Sequence, residues 1–113
     1  MYTKISLLSS VLLLSLSAQA SDFPSSIKSG VPYEIAKASL IADGWKPLVN
    51  SKIQNSSLFA QEIFEKGSTE VVDCISMEID GCAFRYIKNK KILEIRTITR
   101  DLKVDKINLI NKK

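Results

Sequence analysis

The sequence predicts an α+β domain of two layers, with one or two helices packed on an antiparallel β-meander of three to five strands and one disulfide. Three observations carry that reading. Apolar residues fall at helical spacing early in the chain, between a proline and a glycine. From Thr69 onward the apolar pattern changes to alternation, the mark of strands. The only two cysteines, Cys74 and Cys82, bracket the first turn of that strand-rich region.

Taken in order, the chain opens with Lys4, an apolar run at residues 5–16 and a small-residue site, Ser17-Ala18-Gln19-Ala20. This is the layout of a cleaved secretory signal. Residues 1–20 are therefore read as a leader removed after Ala20, and residues 21–113 as one small domain. The apolar run falls short of the roughly 20 residues that a membrane-spanning helix needs. Residues 21–29 are a polar, extended lead-in. Pro32 suits the first turn of a helix reaching to Ala42, with Tyr33, Ala36 and Leu40 on one side and Ile41 beside them. Glu34 lies in the first turn, where the helix dipole favours a negative charge. Asp43-Gly44 ends the helix, Gly44 serving as a left-handed cap. Trp45 is placed to pack back on the helix, and residues 46–49 form a short strand. A polar loop over residues 50–57 follows, from which Ser56 or Ser57 caps a second helix at residues 58–66. Phe59, Ile63 and Phe64 supply its apolar side, and Gly67 closes it.

In the strand region Val72, Cys74 and Ser76 share one face, and Val71, Ile75 and Met77 the other. Asp80-Gly81 is a turn signal. Cys82, Phe84 and Tyr86 alternate with Ala83, Arg85 and Ile87, and Asn89-Lys90 makes the next turn. Leu93, Ile95 and Thr97 then alternate with Ile92, Glu94, Arg96 and Ile98, and residues 104–110 read as a further strand, with a loosely ordered tail as the alternative. Cys74 and Cys82 are equidistant from Glu78, so they stand opposite each other across the first hairpin. One face, with Cys74, Cys82, Phe84, Tyr86, Leu93 and Ile95, takes the helix, joined by Leu40, Trp45 and Phe59. The other carries Val71, Ile75, Met77, Ile87, Ile92 and Ile98, diluted by Arg85, Glu94 and Arg96. Cover by the second helix or the C-terminal segment is the first expectation for that face, and cover by a partner the second. A mixed apolar-arginine surface is what an interface commonly presents.

Composition narrows the chemistry. The chain contains no histidine, which removes histidine acid–base catalysis, the Ser-His-Asp triad and histidine metal sites. Its four glycines stand apart, so no phosphate-binding loop is present. The pairs Glu62/Glu65 and Glu78/Asp80 read as solvated charges. Neither catalytic residues nor a metal or cofactor site are assigned. The cysteine spacing is C-x7-C; in an exported chain that pattern reads as a structural disulfide, whose short loop adds about 2–3 kcal/mol. The formal charge is +4, of which Lys4 in the leader carries one. Basic residues gather at Lys88, Lys90 and Lys91, and again at Lys103, Lys106, Lys112 and Lys113. Nucleic acid is a poor partner for an exported chain without an aromatic-basic platform, and membrane contact is at most peripheral.

One pattern adds to this reading. Tyr33, Ala36 and Leu40 on a helix that runs into Gly44, Trp45 and Pro47, followed by Cys74, Gly81, Cys82 and Phe84, resembles a group of small exported bacterial proteins. The likeness covers residues 30–99. The group tends to have a glycine-rich hairpin turn, where this chain has Ile-Ser-Met-Glu-Ile-Asp and one glycine. No catalytic residue is associated with the pattern, so the resemblance implies none here. More loosely, the helix-then-meander order is similar to β-lactamase-inhibitor-like and outer-membrane-assembly lipoprotein domains, a fold analogy only.

The function expected from the residues is that of a non-enzymatic binding protein of the cell envelope, periplasmic or secreted. Its partner would be another envelope protein, as for a periplasmic inhibitor or an immunity protein. The expected contact face is Val71, Ile75, Met77, Arg85, Ile87, Ile92, Arg96 and Ile98. The alternative is a structural or adaptor protein that binds anionic lipid or glycan through the basic turn and tail.

Overall fold

A computed structural model of the chain describes Pro24, residues 27–75 and residues 80–110. Residues 1–23, which include the expected leader, residues 25–26, Ser76, Met77, Glu78, Ile79 and residues 111–113 lie outside the described residues. The fold is α+β. Two helices, α1 (Tyr33–Ala42) and α2 (Leu58–Glu65), pack on an antiparallel sheet. The strands are β1 (Lys46–Pro47), β2 (Val71–Ile75), β3 (Gly81–Lys88), β4 (Lys91–Ile98) and β5 (Lys103–Ile110). β3 and β4 are central; β5 flanks β4, while β1 and β2 share the far edge of β3.

Local chemistry sets the helix ends. Pro32 is the N-cap of α1 with extended ψ, one position earlier than expected. It sits there because the backbone on either side is tied to β5: Gly30 N–H donates to Val104 O and Tyr33 N–H to Leu102 O. Both helices stop in the same way. Gly44 and Gly67 have positive φ, Trp45 N–H donates to Leu40 O, and Ser68 N–H donates to Ile63 O. That is the Schellman arrangement, which satisfies carbonyls that the helix itself cannot. Ser57 caps α2 by accepting from Ala60 N–H.

The two helices bury their apolar sides in one core, on one face of the sheet. Tyr33, Ala36 and Leu40 of α1 and Ala60 and Ile63 of α2 meet Cys74, Cys82, Phe84, Tyr86, Leu93, Ile95 and Val104. Trp45 joins this core as expected, and Phe59 is only partly buried. Ile41, expected beside the buried stripe, is half exposed; it points away from Tyr33 and Leu40 around the helix.

Three positions depart from the expected sheet. Val71 pairs with Phe84 while Asp73 pairs with Ala83, so β2 carries one extra residue at Val72. A bulge of this kind turns the side chains on one side of it to the opposite face. Val71 therefore lies fully buried in the core with Cys74, and not on the outer face. Gly81 is already paired with Ile75 inside the ladder, so it is a strand residue; Asp80 before it has the positive φ. The loop expected over residues 50–57 contains a single 3-10 turn, Ile53–Asn55. Its flanks close the β2 edge: Asn50 Nδ2 donates to Val71 O and Val72 O, and Ser56 Oγ donates to Val72 O. The carbonyls freed by the bulge are thus satisfied.

One buried polar group joins these layers. Glu70, 1 % exposed, immediately precedes β2. Its carboxylate accepts from the hydroxyl of Tyr33 on α1 and lies 3.2 Å from Lys37 Nζ. Tyr33 and Tyr86 hydroxyls are hydrogen-bonded at 2.5 Å, and Tyr86 Oη is also 3.3 Å from Glu70 Oε2. The Glu70 carbonyl accepts from Arg85 N–H. Tyr33 also stacks on Phe84, with ring centroids 3.9 Å apart.

Burial raises both tyrosine pKa values, first by desolvation, with Glu70 adding to it in each case. Below about pH 10 the unfolded and folded states hold the same tyrosine protons. Above it the unfolded chain loses protons that the folded chain retains, so stability falls by about 1.4 kcal/mol per pH unit for each tyrosine. Tyr33 and Tyr86 are the only tyrosines after residue 20. In a chain of residues 21–113, tyrosinate absorbance is therefore expected to rise only as the fold is lost, in one step that coincides with the circular dichroism transition. A separate titration of either tyrosine in folded protein would contradict this packing. A second expectation concerns the β3–β4 turn, where Asn89 and Lys90 both have positive φ. Lys90→Gly should raise stability by about 0.5–1 kcal/mol in urea unfolding, since glycine adopts that backbone without a Cβ penalty.

Candidate functional site

The outer face of the sheet is built by the pleat. Each cross-strand row places one side chain per strand outward. One row is Ile75, Gly81, Ile98 and Lys103; the next is Asp73, Ala83, Arg96 and Lys106; then come Arg85, Glu94 and Asn108, and finally Ile87, Ile92 and Ile110. Apolar side chains thus occupy the two ends of the face, and charges its middle. Neither expected cover is found among the described residues. The apolar side of α2 enters the same core as α1, and the C-terminal segment extends the sheet sideways as β5. Ile75 is 58 % exposed, and Ile87, Ile92 and Ile98 are partly exposed.

The middle of the face is organised by one carboxylate. Glu94 is directly opposite Arg85 and two residues from Arg96 on the same strand face. Glu94 Oε1 lies 2.8 Å from Arg85 Nε, and Glu94 Oε2 lies 2.9 Å from Arg96 Nε. The Glu94 side chain is 7 % exposed, against 41 % for Arg85 and 51 % for Arg96. A carboxylate this buried requires partners, and here each of its oxygens has one. Both arginines meet the carboxylate through Nε.

Small residues on β3 leave space beside these arginines. A concavity of about 190 Å³ is lined by Val72, Asp73, Ile75, Gly81, Ala83 and Arg96, among others, with Arg85 and Glu94 at one end. A second, of about 210 Å³, is lined by Ile75, Gly81, Arg96, Ile98, Asp105 and Lys106, among others. The two share Ile75, Gly81, Cys82 and Arg96, so together they form a shallow trough across the sheet. Asp73 at its rim is exposed, and its Oδ1 accepts from Ser57 N–H at 2.9 Å and from Cys74 N–H at 2.7 Å. Cys74 and Cys82, paired opposite each other, form the disulfide beneath this end of the sheet.

Of the eight residues expected on this face, Ile75, Arg85, Ile87, Ile92, Arg96 and Ile98 are there. Val71 belongs to the core, and Met77 lies outside the described residues. Lys88, Lys90 and Lys91, the expected basic patch, lie together at the β3–β4 turn, where Lys46, Lys88 and Lys90 line one concavity, and Lys88 is also engaged by the end of α1. Lys88 Nζ donates to the Asp43 carbonyl at 2.6 Å, lies 3.4 Å from Asp43 Oδ2 and sits 5.7 Å from the Trp45 ring centroid. It therefore seals the C-terminus of α1. Lys90 is exposed in the turn, and Lys91 pairs with Lys88 at the strand ends. Among the carboxylates, Glu62 and Asp80 both approach Arg100, at 3.7 Å each. Arg100 also lies over the Phe59 ring, its guanidinium carbon 4.0 Å from the centroid.

Sequence reasoning treated Glu94 as a diluting charge and passed over Glu70. The Glu94–Arg96 half of this arrangement is legible in the sequence, because the two residues share one face of a strand, whereas Arg85 meets Glu94 only through strand pairing. Glu70 offered no such signal, since its partners are far away in sequence. Comparisons with protein-family models, with curated proteins and with solved structures find no match for this chain.

Replacing Glu94 with alanine leaves two arginines side by side without their shared partner. Glu94→Ala is expected to cost about 1–2 kcal/mol in urea unfolding. Arg85→Ala or Arg96→Ala alone should cost less than about 1 kcal/mol, because each arginine is well exposed. Equal losses for all three would show that the carboxylate is not the organising group.

Proposed function

We propose that this chain is a non-enzymatic, exported binding protein of the cell envelope, which occludes a partner protein with the outer face of its sheet. The observation that carries the reading is the uncovered face itself. Ile75, Ile98, Ile87 and Ile92 flank a fixed pair of arginines on strands stapled by Cys74–Cys82. Apolar side chains with arginine are enriched at protein interfaces, and a braced sheet loses little conformational freedom on binding. A joined disulfide fits an oxidising compartment, whether periplasm or exterior, and no helix among the described residues is long and apolar enough to cross a membrane. An inhibitor or an immunity protein is the kind of binder this describes. The likeness to small exported bacterial proteins agrees with the same setting. The lipid- or glycan-binding alternative is weakened, because Lys88 is committed to Asp43 and Trp45.

Two positions, exposed Ile75 and partly exposed Ile98, test the face. Ile75→Asp combined with Ile98→Asp should leave the fold and disulfide intact while abolishing capture of envelope proteins that bind the parent chain. Thermal unfolding and mass spectrometry of the captured proteins check both halves. Retention of every partner by the double variant would exclude the sheet face as the site.

A further inference from the structure

We infer that the trough on the outer face receives an extended protein segment that presents a carboxylate side chain to Arg85 and Arg96, with an adjoining apolar side chain over Gly81 and Ala83. This inference rests on the proposed binding face and specifies the chemistry of what it binds. The argument is one of charge complementarity and shape. Glu94, the anion at the centre, is nearly buried and uses both oxygens on Nε atoms. Asp73 has its Oδ1 turned to backbone N–H groups. Over the middle of the face the exposed cations are Arg85, Arg96 and Lys106 in the cross-strand rows, and the carboxylates of Asp73 and Asp105 stand at the rims of the trough.

Glu94 also does something that a loose basic patch does not. It fixes two guanidinium groups from adjacent strands by their Nε atoms, so that both planar forks are held before any ligand arrives. Arginine binds carboxylates through two parallel N–H donors, and an oriented fork loses less freedom on binding. Next to the forks, Gly81 and Ala83 keep the surface low, between Ile75 on β2 and Ile98 on β4. A side chain that enters this depression lies against apolar walls. The ligand implied is therefore an acidic residue beside an apolar one on an extended strand, whose neighbouring side chains alternate in direction.

The test is selection of linear peptides from a phage-displayed library on the full, oxidised protein, followed by titration with synthetic copies of the enriched sequences. Enrichment of Asp or Glu next to an apolar residue is expected. Binding should fall roughly tenfold or more on Arg85→Gln or Arg96→Gln and stay unchanged on Lys90→Gln. Glu94→Gln separates a held clamp from general attraction. It makes the face more positive, so attraction alone would tighten binding, whereas loss of the guanidinium orientation weakens it. Thermal unfolding of each variant identifies any loss that comes from misfolding, and Arg85→Lys, which keeps the charge without the fork, supplies a milder replacement. Enriched peptides without acidic residues, or tighter binding by Glu94→Gln, would overturn the inference while leaving the face intact, provided those peptides still fail on the Ile75→Asp and Ile98→Asp double variant. Peptides that bind that double variant normally, or no enrichment at all, would overturn the binding face and the inference together. Stronger, arginine-dependent binding to phosphatidylglycerol vesicles than to any peptide would assign the trough to lipid and overturn the protein ligand.

Discussion

The Glu70 carboxylate is the constraint on which the two layers depend. It is buried, and a charge or polar group buried without partners costs several kcal/mol. Its partners come from separate parts of the chain: Tyr33 and Lys37 from α1, and Tyr86 from β3. Any relative shift of helix and sheet breaks several of these bonds at once. Dispersion and area burial reward many packings of α1 on the sheet, whereas this network is satisfied in only one. The nearby hydrogen bond from Arg85 N–H to the Glu70 carbonyl extends the same control to the start of β2.

From that point the composition of the two sheet faces follows. Glu70 lies in the core layer just before β2, and within β2 both Val71 and Cys74 are buried, three positions apart, which alternation alone would forbid. The bulge at Val72 resolves the conflict by resetting the face for Asp73 onward. Cys74 then falls opposite Cys82 on the core side, and Ile75 falls outside. The disulfide holds the hairpin downstream of the bulge, and Asn50 and Ser56 hold the bulge itself. The outer trough is a consequence of this register, since it needs Ile75 opposite Gly81 and Asp73 opposite Ala83. Function, on the reading proposed, is placed on the face that the core chemistry leaves over.

Much of this was legible in the residues. The helix between Pro32 and Gly44, the meander, the cysteine pair and the inward set of Phe84, Tyr86, Leu93 and Ile95 follow from spacing and turn chemistry, which act over a few residues. Six of the eight proposed face residues follow from the same alternation. Val71 does not, because a bulge is set by pairing with a distant strand and by the loop that caps it. Lys88 looked like part of a surface cluster with Lys90 and Lys91. It does lie at that turn, and its further partners, Asp43 and Trp45, are brought to it by β1 pairing with the end of β3.

The sequence by itself determined the fold class, the disulfide and the absence of histidine chemistry, since period, turn residues and composition are local properties of the chain. Only the tertiary structure decided which sheet face the described residues leave open. Both helices enter one core because their buried stripes answer to the same tyrosines and aliphatic residues, and β5 lengthens the sheet without folding over it. It also decided that Arg85 and Arg96 act as a pair. Their common partner Glu94 stands opposite one and beside the other only once β3 and β4 are in register.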